Sequence, residues 1–467
     1  MSAIDPTTAS AIDLAAAIKA KKISSVEATT AAIAGLKRAH ERCNAVVSLD
    51  EAEALADARA ADAALAKGGA IGPLHGVPLA HKDMFDRQGK IASWGAKIRA
   101  DKPAATDATP LARLKAAGAL HIAGLHLTEF AFGPTGHNYI LGHARNPYDQ
   151  KHITGGSSAG SACSVAMGAV PAALGSDTAG SLRLPAAACS VTSLKGTWTR
   201  VSRAGAMPLS PSLDCVGPIA RDVRDVALMM GLIAGHDRRD AGTSPRTVPD
   251  YLARIEEPVK GLAIGVDEAL VRDADASVQA RFEAALKAME KAGAKRVAVR
   301  FADWKLIDQL TQLLQLPEVA SAHGRYIRTR ADDYGPQVRA RIEYGHFIPG
   351  ADQITAARAR GQIVAKVLAE TYARCDVVAL PTFADALPTI AELDVGGGPT
   401  LMAAMARVIY YTRPINYLGL PALTLPYTRG SGELPNGFQL VGRPFSEGLL
   451  LRMGRAYQKD VVPEIAR

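Results

Sequence analysis

Residues 154–185 of this chain read T-G-G-S-S-A-G-S-A-C-S-V-A-M-G-A-V-P-A-A-L-G-S-D-T-A-G-S-L-R-L-P, and they decide both its fold and its chemistry. Two Gly/Ser-rich turns flank one apolar segment, with Ser157 in the first turn and Ser181 in the second. Glycine adopts backbone conformations that other residues resist, so such turns can direct N–H groups and a hydroxyl towards one point. Acyl transfer needs this arrangement, because the nucleophile must lie beside donors for the oxyanion that its attack creates.

A base for either serine has to come from elsewhere in the chain. No histidine is a plausible partner, and the candidate is Lys82, in the run G-V-P-L-A-H-K-D at residues 76–83. Lys82 follows an apolar, strand-like stretch, where burial disfavours the charged amine and lowers its pKa. A neutral amine can accept a proton, whereas an ammonium cannot. Taken singly, each turn is more often a tight loop or a helix entry, and most lysines are exposed.

Two familiar motifs do not fit the second turn. A G-x-S-x-G nucleophile elbow is excluded because Ser181 is followed by Leu182 and Arg183. A phosphate-binding loop is excluded because no Gly-Lys-Ser/Thr follows the glycines. The small residues Ala179 and Gly180 instead allow a bend that makes successive N–H groups converge as an oxyanion hole, from Thr178, Ala179, Gly180 and Ser181.

Composition sets broad limits on the class of protein. Of 467 residues, 48% are hydrophobic, enough for a large core, and no apolar stretch reaches the roughly 18 residues of a membrane span. Residues 1–5 lack the basic and apolar regions of a secretory signal. Five scattered cysteines predict reduced, mostly buried thiols in a cytoplasmic protein. The net charge of +8 comes without a basic run, and aromatic residues make up only 5%, so we expect a solvated basic surface and no nucleic acid.

No group of His, Cys, Asp and Glu in the sequence shows the spacing of metal ligands. We therefore expect no metal and no cofactor, and we expect chelators to leave activity unchanged.

The chain begins with a pattern of helices. We expect these over residues 11–20, 25–42 and 50–67, the first capped by Ser10 and the second by Ser24 or Ser25 with Glu27. Because such an arm has little to bury alone, it should pack on the rest of the chain or on a second subunit, which makes a homodimer plausible.

From residue 72 onward, short apolar runs alternate with helical segments. We expect strands near residues 77–80, 121–125, 170–175, 261–266, 296–299, 377–381 and 422–426. The helices expected between them cover residues 110–117, 161–169, 276–293 and most of 303–374. With no linker, repeat or low-complexity block, the pattern predicts a single α/β domain whose central twisted mixed sheet is covered by helices on both faces. Within it we expect a helical arm (1–68), a catalytic core (69–230) and a remainder (231–467) with further strands and a helical substrate-pocket region.

The combination of motifs is more specific than its parts. Lys82, the G-G-S-S turn that places Ser157 75 residues later, and the G-S-D-T-A-G-S turn that ends 24 residues further at Ser181 closely resemble the amidase signature family of serine hydrolases. The resemblance is dense over residues 76–224 and returns over residues 416–445.

The resemblance implies a Ser–cis-Ser–Lys triad. Ser181 would be the nucleophile, Ser157 the bridging hydroxyl and Lys82, neutral in the free enzyme, the base. Family members also have a cis peptide before the bridging serine, here between Gly156 and Ser157. The implied activity is hydrolysis of the C–N bond of small amides, and also of ureas or carbamates, through an acyl-enzyme.

The sequence departs from the family pattern at a few positions. Ala179 and Ala159 stand where the family commonly has glycine, which is harmless only if the backbone there does not need positive φ. His81 is less usual before the lysine and is expected to be a packed or surface imidazole, because neighbours on a strand point to opposite faces. Asp83 and Asp177 could support the site or simply form hydrogen bonds in turns.

Less of the sequence bears on the substrate. The loop E-F-A-F-G at residues 129–133 aligns with a segment that borders the acyl site in relatives, so Ala131 and the backbone of Gly156 are candidate substrate contacts. The aromatic residues of this loop could equally belong to the core. Residues 325–341 concentrate arginine and could form an anion-binding wall, a solvated helical face or a subunit contact.

Two other functions remain open. The amidase component of a glutamyl-tRNA amidotransferase shares the triad but acts on glutamine with partner subunits. A non-catalytic binding protein on the same fold is the other, although all three triad residues are present. The preferred interpretation is a stand-alone amidase with a small-molecule amide substrate, no nucleic-acid or membrane partner, and a cytoplasmic location.

Overall fold

Strands from both halves of the chain form one sheet. The computed structural model describes residues 4–69, 71–99, 101–301, 303–428, 430 and 432–461, so residues 1–3 of the N-terminal stretch lie outside the description. Within these ranges, eleven strands line up in the order β1-β3-β2-β4-β6-β5-β10-β11-β9-β7-β8. The strands are β1 Val46–Leu49, β2 Pro78–Lys82, β3 Leu120–Leu125, β4 Ala172–Asp177, β5 Thr192–Lys195, β6 Cys215–Ala220, β7 Ala263–Val266, β8 Lys295–Ala298, β9 Val377–Pro381, β10 Ala422–Pro426 and β11 Gly437–Gly442.

The sheet is mixed, and its parallel part positions the residues of interest. Strand β2 pairs in parallel with β3 on one side and with β4 on the other. Because the carboxyl ends of parallel strands meet at the same edge, Lys82 at the end of β2 and Asp177 at the end of β4 come to one edge of the sheet. Strand β4 pairs antiparallel with β6, and the rest of the sheet continues through antiparallel pairs as far as β9.

Helices cover the sheet, whose inner strands are buried along their whole length, as in β2, β4, β6, β10 and β11. The helices are α1 Ala11–Lys19, α2 Ser25–Cys43, α3 Glu51–Ala66, α4 Thr109–Ala116, α5 Ala159–Ala166, α6 Arg183–Ala188, α7 Val223–Ile233, α8 Glu268–Val271, α9 Ala276–Lys291, α10 Trp304–Thr329, α11 Pro336–Gly345, α12 Gly350–Glu370, α13 Leu401–Val408, α14 Arg413–Leu418 and α15 Glu447–Gln458. The prediction of a single α/β domain with a mixed sheet flanked by helices is confirmed. In the described ranges, no helix combines the length and the apolar character that crossing a bilayer requires.

The N-terminal arm has the predicted helices and packs on the body of the same chain. Ser10 caps α1, and Ser24 forms a capping box with Glu27 at the start of α2. The free amides at the start of α1, those of Ala11 and Ile12, donate to the buried Asp225 carboxylate of α7 at 2.7 and 3.0 Å. Burial raises the pKa of Asp225 to about 7.

Strands β1 and β6 were not predicted from the sequence, each for a physical reason. Strand β1 has only four residues between two helices. Strand β6 reads C-V-G-P-I-A, and its Gly217 and Pro218 are typical of a turn, yet they pair with Gly175 and Leu174 of β4. Helix α5 begins at Ala159, two residues before the predicted start.

Candidate active site

Lys82 is completely buried at the end of β2. Its Nζ lies 2.7 Å from Ser157 Oγ and 2.8 Å from Ser176 Oγ. Ser176 belongs to β4, so a neighbouring strand supplies the second hydroxyl. The motif spacing brings Ser157 to Lys82 as expected but gives no sign of Ser176, whose only signal is its place beside Asp177 in the second turn.

Burial disfavours the charged form of the Lys82 amine. It lowers the pKa of the amine from 10.5 to about 7, although the carboxylates of Asp177 and Asp214 act in the opposite direction. Asp214 is itself affected, since burial raises its pKa to about 6 despite a hydrogen bond from Thr178 Oγ1 at 2.6 Å. A substantial fraction of Lys82 is therefore uncharged at neutral pH and able to accept a proton.

The first turn carries Ser157 to this amine. The peptide bond between Gly156 and Ser157 is cis, as the resemblance implied. A Cβ on Gly156 would lie 2.7 Å from both the carbonyl oxygen of Gly133 and the amide nitrogen of Gly136, so the close approach of backbone requires glycine there. The Thr128 amide donates to the Ser157 carbonyl at 3.2 Å and ties the turn to the preceding loop.

Hydrogen bonds join the first turn to the second. The Ser158 amide donates to the Ser181 carbonyl at 3.3 Å, and the Ser158 hydroxyl donates to the Ser176 carbonyl at 3.2 Å. Ser157 is fully buried, whereas Ser181 is 8% exposed. Ser181 is therefore the residue of this pair that a molecule from solvent can reach.

Asp177 organises the second turn from inside. Its carboxylate accepts hydrogen bonds from the amides of Gly180 and Leu182 at 2.9 and 3.2 Å. It also pairs with Arg183 and accepts from Asn416, with every member of the group buried. Burial alone would raise the pKa of Asp177, but the Arg183 guanidinium overrides it and the pKa falls to about 2. Asp177 is therefore a permanent anion, and its role is in building the turn.

The backbone accommodates Ala159 and Ala179, the two alanines that stand where the family commonly has glycine. Ala159 opens α5, and within residues 178–181 positive φ occurs only at Gly180, at +132°. Thr412 Oγ1 donates to the Ala179 carbonyl at 2.6 Å, and a Cβ on Gly180 would meet that same hydroxyl at 2.4 Å. Glycine is thus required at position 180 and dispensable at positions 159 and 179.

A cavity of about 240 Å³ opens beside the second turn. Its lining includes Thr178 and Asp214, together with Ser176, the residue that contacts Lys82. The lining also contains apolar and charged side chains, those of Met84, Met207, Leu209 and Arg203. The cavity is large enough for a small molecule with both apolar and polar groups.

The loop predicted to border the acyl site is strained and tightly packed. Phe130 and Ala131 have φ of +51° and +56°, a conformation that non-glycine residues rarely adopt. The Phe130 ring packs on His323 and Tyr334, with centroids 4.5 and 5.3 Å away, so this aromatic belongs to the core. Contacts of Ala131 and Gly156 with substrate stay predictions.

The Arg-rich segment contains two kinds of residue. Arg330 and Arg339 are solvated and pair with nearby carboxylates, as a helical surface would. Arg341 is buried: its guanidinium lies 3.7 Å from the centre of the Phe132 ring, and Nη1 donates to the Phe132 carbonyl at 3.2 Å. Among the described residues, Arg341 Nε has no hydrogen-bond partner. One buried cation therefore contacts the loop that adjoins the first turn.

Asp83 and His81, which flank Lys82 in the sequence, serve the structure. Asp83 accepts hydrogen bonds from the amide and hydroxyl of Ser93, and burial raises its pKa. His81 is 2% exposed and packs edge-on against His121 at 5.8 Å. Burial lowers the pKa of His81 well below its usual value, so the imidazole is neutral, as expected of a packed histidine.

Comparison with known proteins agrees with this geometry. The amidase family model matches residues 27–451. Among curated relatives, the A-subunit of the glutamyl-tRNA(Gln) amidotransferase of Chloroflexus aggregans is 36% identical, covering 95% of this chain and 94% of its own length.

Solved structures give the same result. One similar structure comes from a protein complex described as vestigial, which reveals the evolutionary origins of an s-triazine catabolic enzyme. The TM-score is 0.91 and the sequence identity 32%, over 98% of this chain and 100% of that one. A peptide amidase bound to the competitive inhibitor chymostatin is similar with a TM-score of 0.85 and 28% identity, over 98% of this chain and 99% of that one. The chain therefore belongs to the amidase family, the amidase signature enzymes, and is an amidohydrolase that acts on C–N bonds.

Proposed function

We propose that this chain cleaves the C–N bond of small amides, and of ureas or carbamates, through an acyl-enzyme on Ser181. One observation carries the proposal: a fully buried Lys82 amine, with a pKa of about 7, lies 2.7 Å from Ser157 Oγ, and the turn that holds Ser157 is bonded to the turn that holds Ser181. A lysine without a deprotonated fraction could not act as a base at neutral pH.

The chemical steps follow from this arrangement. Ser157 transfers its proton to Lys82 Nζ and takes the proton of Ser181, whose Oγ then attacks the carbonyl carbon. The tetrahedral intermediate collapses with cleavage of the C–N bond, and Ser157 delivers a proton to the leaving amine while Lys82 returns one to Ser157. Water then attacks the acyl-enzyme by the same relay, which releases the acid and restores Ser181.

The oxyanion would be stabilised by backbone amides of the second turn. Of the four predicted donors, the Gly180 amide is already bonded to Asp177. The amides of Thr178, Ala179 and Ser181 are therefore the proposed oxyanion hole. Ser176 holds Lys82 Nζ from the other side, which keeps the amine directed at Ser157.

Arg341 supports a substrate that carries an anionic group. A buried guanidinium stacked on Phe132, with Nε unpartnered among the described residues, has unused hydrogen-bond capacity beside the first turn. Guanidinium groups pair with carboxylates through two parallel hydrogen bonds, so a small amide with a carboxylate is the proposed substrate class.

The test uses the purified chain alone on matched pairs of amides, ureas and carbamates, with and without a carboxylate. We expect turnover without partner subunits, faster for the acidic member of each pair. Arg341→Met should raise KM for the acidic substrates by about 10–100-fold and leave the neutral ones unchanged, since a charge-assisted pair contributes about 1.5–3 kcal/mol. Absence of turnover on every pair would contradict the proposal.

Ser181→Ala provides a second test of the nucleophile. We expect loss of turnover and loss of covalent labelling by a serine-directed fluorophosphonate, with unchanged far-UV circular dichroism, because the change removes one hydroxyl and no packing group. Ser277→Ala, at an exposed position on α9, is the control and should label like the wild type. A label that persists in Ser181→Ala would exclude Ser181 as the nucleophile, and no label on the wild type would favour a non-catalytic protein.

A second candidate function rests on the names of the relatives. Curated proteins up to 37% identical over most of the chain are named as the A-subunit of a glutamyl-tRNA(Gln) amidotransferase, so this chain could have the same role. That role predicts weak activity alone and strong stimulation by partner subunits with glutamine, tRNA and ATP. Useful turnover of simple amides by the isolated chain argues against it. We also propose a cytoplasmic location, which the five free, buried thiols support.

A further inference from the structure

Two histidines on the loop that precedes the first turn and one aspartate from a distant segment come together as potential metal ligands. One ring nitrogen each of His137 and His143 and a carboxylate oxygen of Asp394 all lie within 4.8 Å of one another. Nε2 of His143 is 3.9 Å from Asp394 Oδ2, and the two imidazole rings are 4.7 Å apart at their centroids. Ligand atoms of a tetrahedral Zn²⁺ lie roughly 3.3 Å apart, so side-chain shifts of about 1 Å would close the set.

Hydrogen bonds to the backbone orient both imidazoles for such a role. Nε2 of His137 is 2.9 Å from the Ile390 carbonyl, and a proton held there leaves the lone pair on Nδ1, whose present neighbour is the rotatable hydroxyl of Thr135 at 2.8 Å. Nδ1 of His143 lies 3.1 Å from the Asn138 amide and 3.2 Å from the Asn138 carbonyl, and Nε2 faces Asp394. Metal binding through Nε2 requires the tautomer in which Nδ1 donates to the carbonyl. Metal-binding histidines commonly donate their second nitrogen to a carbonyl in this way.

The donor atoms of the group also suit a cation. The Tyr139 hydroxyl donates to the other oxygen of Asp394 and orients the carboxylate. Two imidazole nitrogens and one carboxylate oxygen form a donor set that prefers Zn²⁺ and its transition-metal neighbours to Mg²⁺ or Ca²⁺.

We propose that His137, His143 and Asp394 bind a divalent transition-metal ion of the Zn²⁺ type, which fastens residues 390–394 to the loop at residues 135–143. The ion would stabilise the site without taking part in the reaction. The fastened loop includes Gly136, whose amide nitrogen is one of the atoms that a Cβ on Gly156 would meet. The sequence shows no metal-ligand spacing because Asp394 lies far along the chain and meets the histidines only through the fold.

The experiment is a titration of the untagged, metal-stripped full chain with Zn²⁺ by isothermal calorimetry, repeated with Co²⁺ to read its visible absorption. We expect one ion per chain with a Kd on the order of 1 µM, and a rise in Tm of about 3 °C at a hundredfold excess of Zn²⁺ over Kd. His143→Ala and Asp394→Asn should each weaken binding by at least about 30-fold and abolish the Co²⁺ spectrum.

His40→Ala removes an exposed histidine elsewhere, on α2, and should bind like the wild type. Two variants guard against misfolding, since Asp394→Asn removes a charge and changes no volume. Lack of saturable binding up to about 100 µM Zn²⁺, or equal binding by wild type and both variants, would leave only a contact between His143 and Asp394 and overturn the proposal. Because binding and Tm are measured, the result does not depend on the amidase proposal.

Discussion

At the scale of single residues, the protonation state of Lys82 controls the proposed chemistry. Burial brings its pKa from 10.5 down to about 7, and the reaction needs the neutral amine. The value of kcat/KM should therefore rise tenfold per pH unit below about 7 and level off above it, as the free enzyme loses one proton. Lys82→Ala should lose several orders of magnitude in kcat. The measurement is kcat/KM from pH 5 to pH 10 on one substrate whose own pKa lies outside this range.

A second buried lysine provides the matched control. Lys195 is fully buried, and burial lowers its pKa too, but its Nζ donates to the Gly196 carbonyl rather than to Ser157. Lys195→Met should keep the rising limb near pH 7. A wild-type profile that is flat between pH 5 and pH 10 would contradict the role of Lys82 as the base. A rising limb that moves in Lys195→Met would assign the titration to another group.

The lowered pKa of Lys82 also affects the free energy of unfolding. The folded state binds fewer protons than the unfolded state between pH 7 and pH 10.5, because the amine is already neutral when folded and still charged when unfolded. The contribution of Lys82 to the free energy of unfolding is therefore least favourable below about pH 7, and it improves as the pH rises towards 10.5. Activity and this part of the stability thus improve in the same direction of pH.

At the scale of elements, Arg183 connects the second turn to two distant parts of the chain. It begins α6, pairs with Asp177 at the end of β4, and donates to Gln439 on β11 and Asn416 on α14. Arg183→Met would leave the Asp177 carboxylate buried without its cation. Removing one partner of a buried pair typically costs about 3–5 kcal/mol, so we expect the urea midpoint to fall strongly, with loss of activity as the amides of the turn lose their anchor. Equilibrium urea unfolding at pH 7 measures the effect.

A partly solvated group shows what ordinary salt bridges contribute. Arg296, at the far edge of the sheet, pairs with Glu283 at 2.8 Å and with Glu290 at 3.2 Å, and all three side chains are partly solvated. Arg296→Met should change the free energy of unfolding by less than about 1 kcal/mol. If Arg183→Met and Arg296→Met unfold at the same urea concentration, the buried network does not organise the second turn.

At the scale of the whole molecule, sequence reasoning succeeded where signals are local. The caps at Ser10 and Ser24 are each formed within three residues, and both helices begin where predicted. Contacts set by the order of strands could not be foreseen. Ser176 reaches Lys82 only because β4 lies beside β2, and Arg341 reaches Phe132 only because α11 packs against that loop. The proximity of Lys82 and Ser157 could be predicted for a different reason. Their motifs resemble those of a family, and members of one family share the same order of strands.

The last prediction tests whether the sheet unfolds as one body. All five cysteines are free and buried: Cys43, Cys163, Cys189, Cys215 and Cys375. Cys43, Cys163 and Cys189 share one buried cluster, with the last two Sγ atoms 3.9 Å apart, whereas Cys375 lies in another. Cys43 ends α2 near β1 at one edge of the sheet, whereas Cys375 precedes β9 towards the other. Burial also raises the pKa of Cys375 to about 11, so thiolate is scarce at pH 8. The native chain should therefore be inert to a disulfide reagent such as DTNB, and denaturant should expose all five thiols.

Cooperative unfolding of a single domain requires that the two distant thiols become reactive at the same urea concentration. Pulsed alkylation with peptide mass spectrometry measures the midpoint for each cysteine separately, and Cys43→Ser and Cys375→Ser confirm the assignments. Two separated midpoints would mean that the helical arm with β1 and the half of the sheet around β9 are independent folding units. A shared midpoint would mean that the strands between them, which carry Lys82 and Asp177, transmit stability across the whole sheet, so that distant mutations lower activity by unfolding the site.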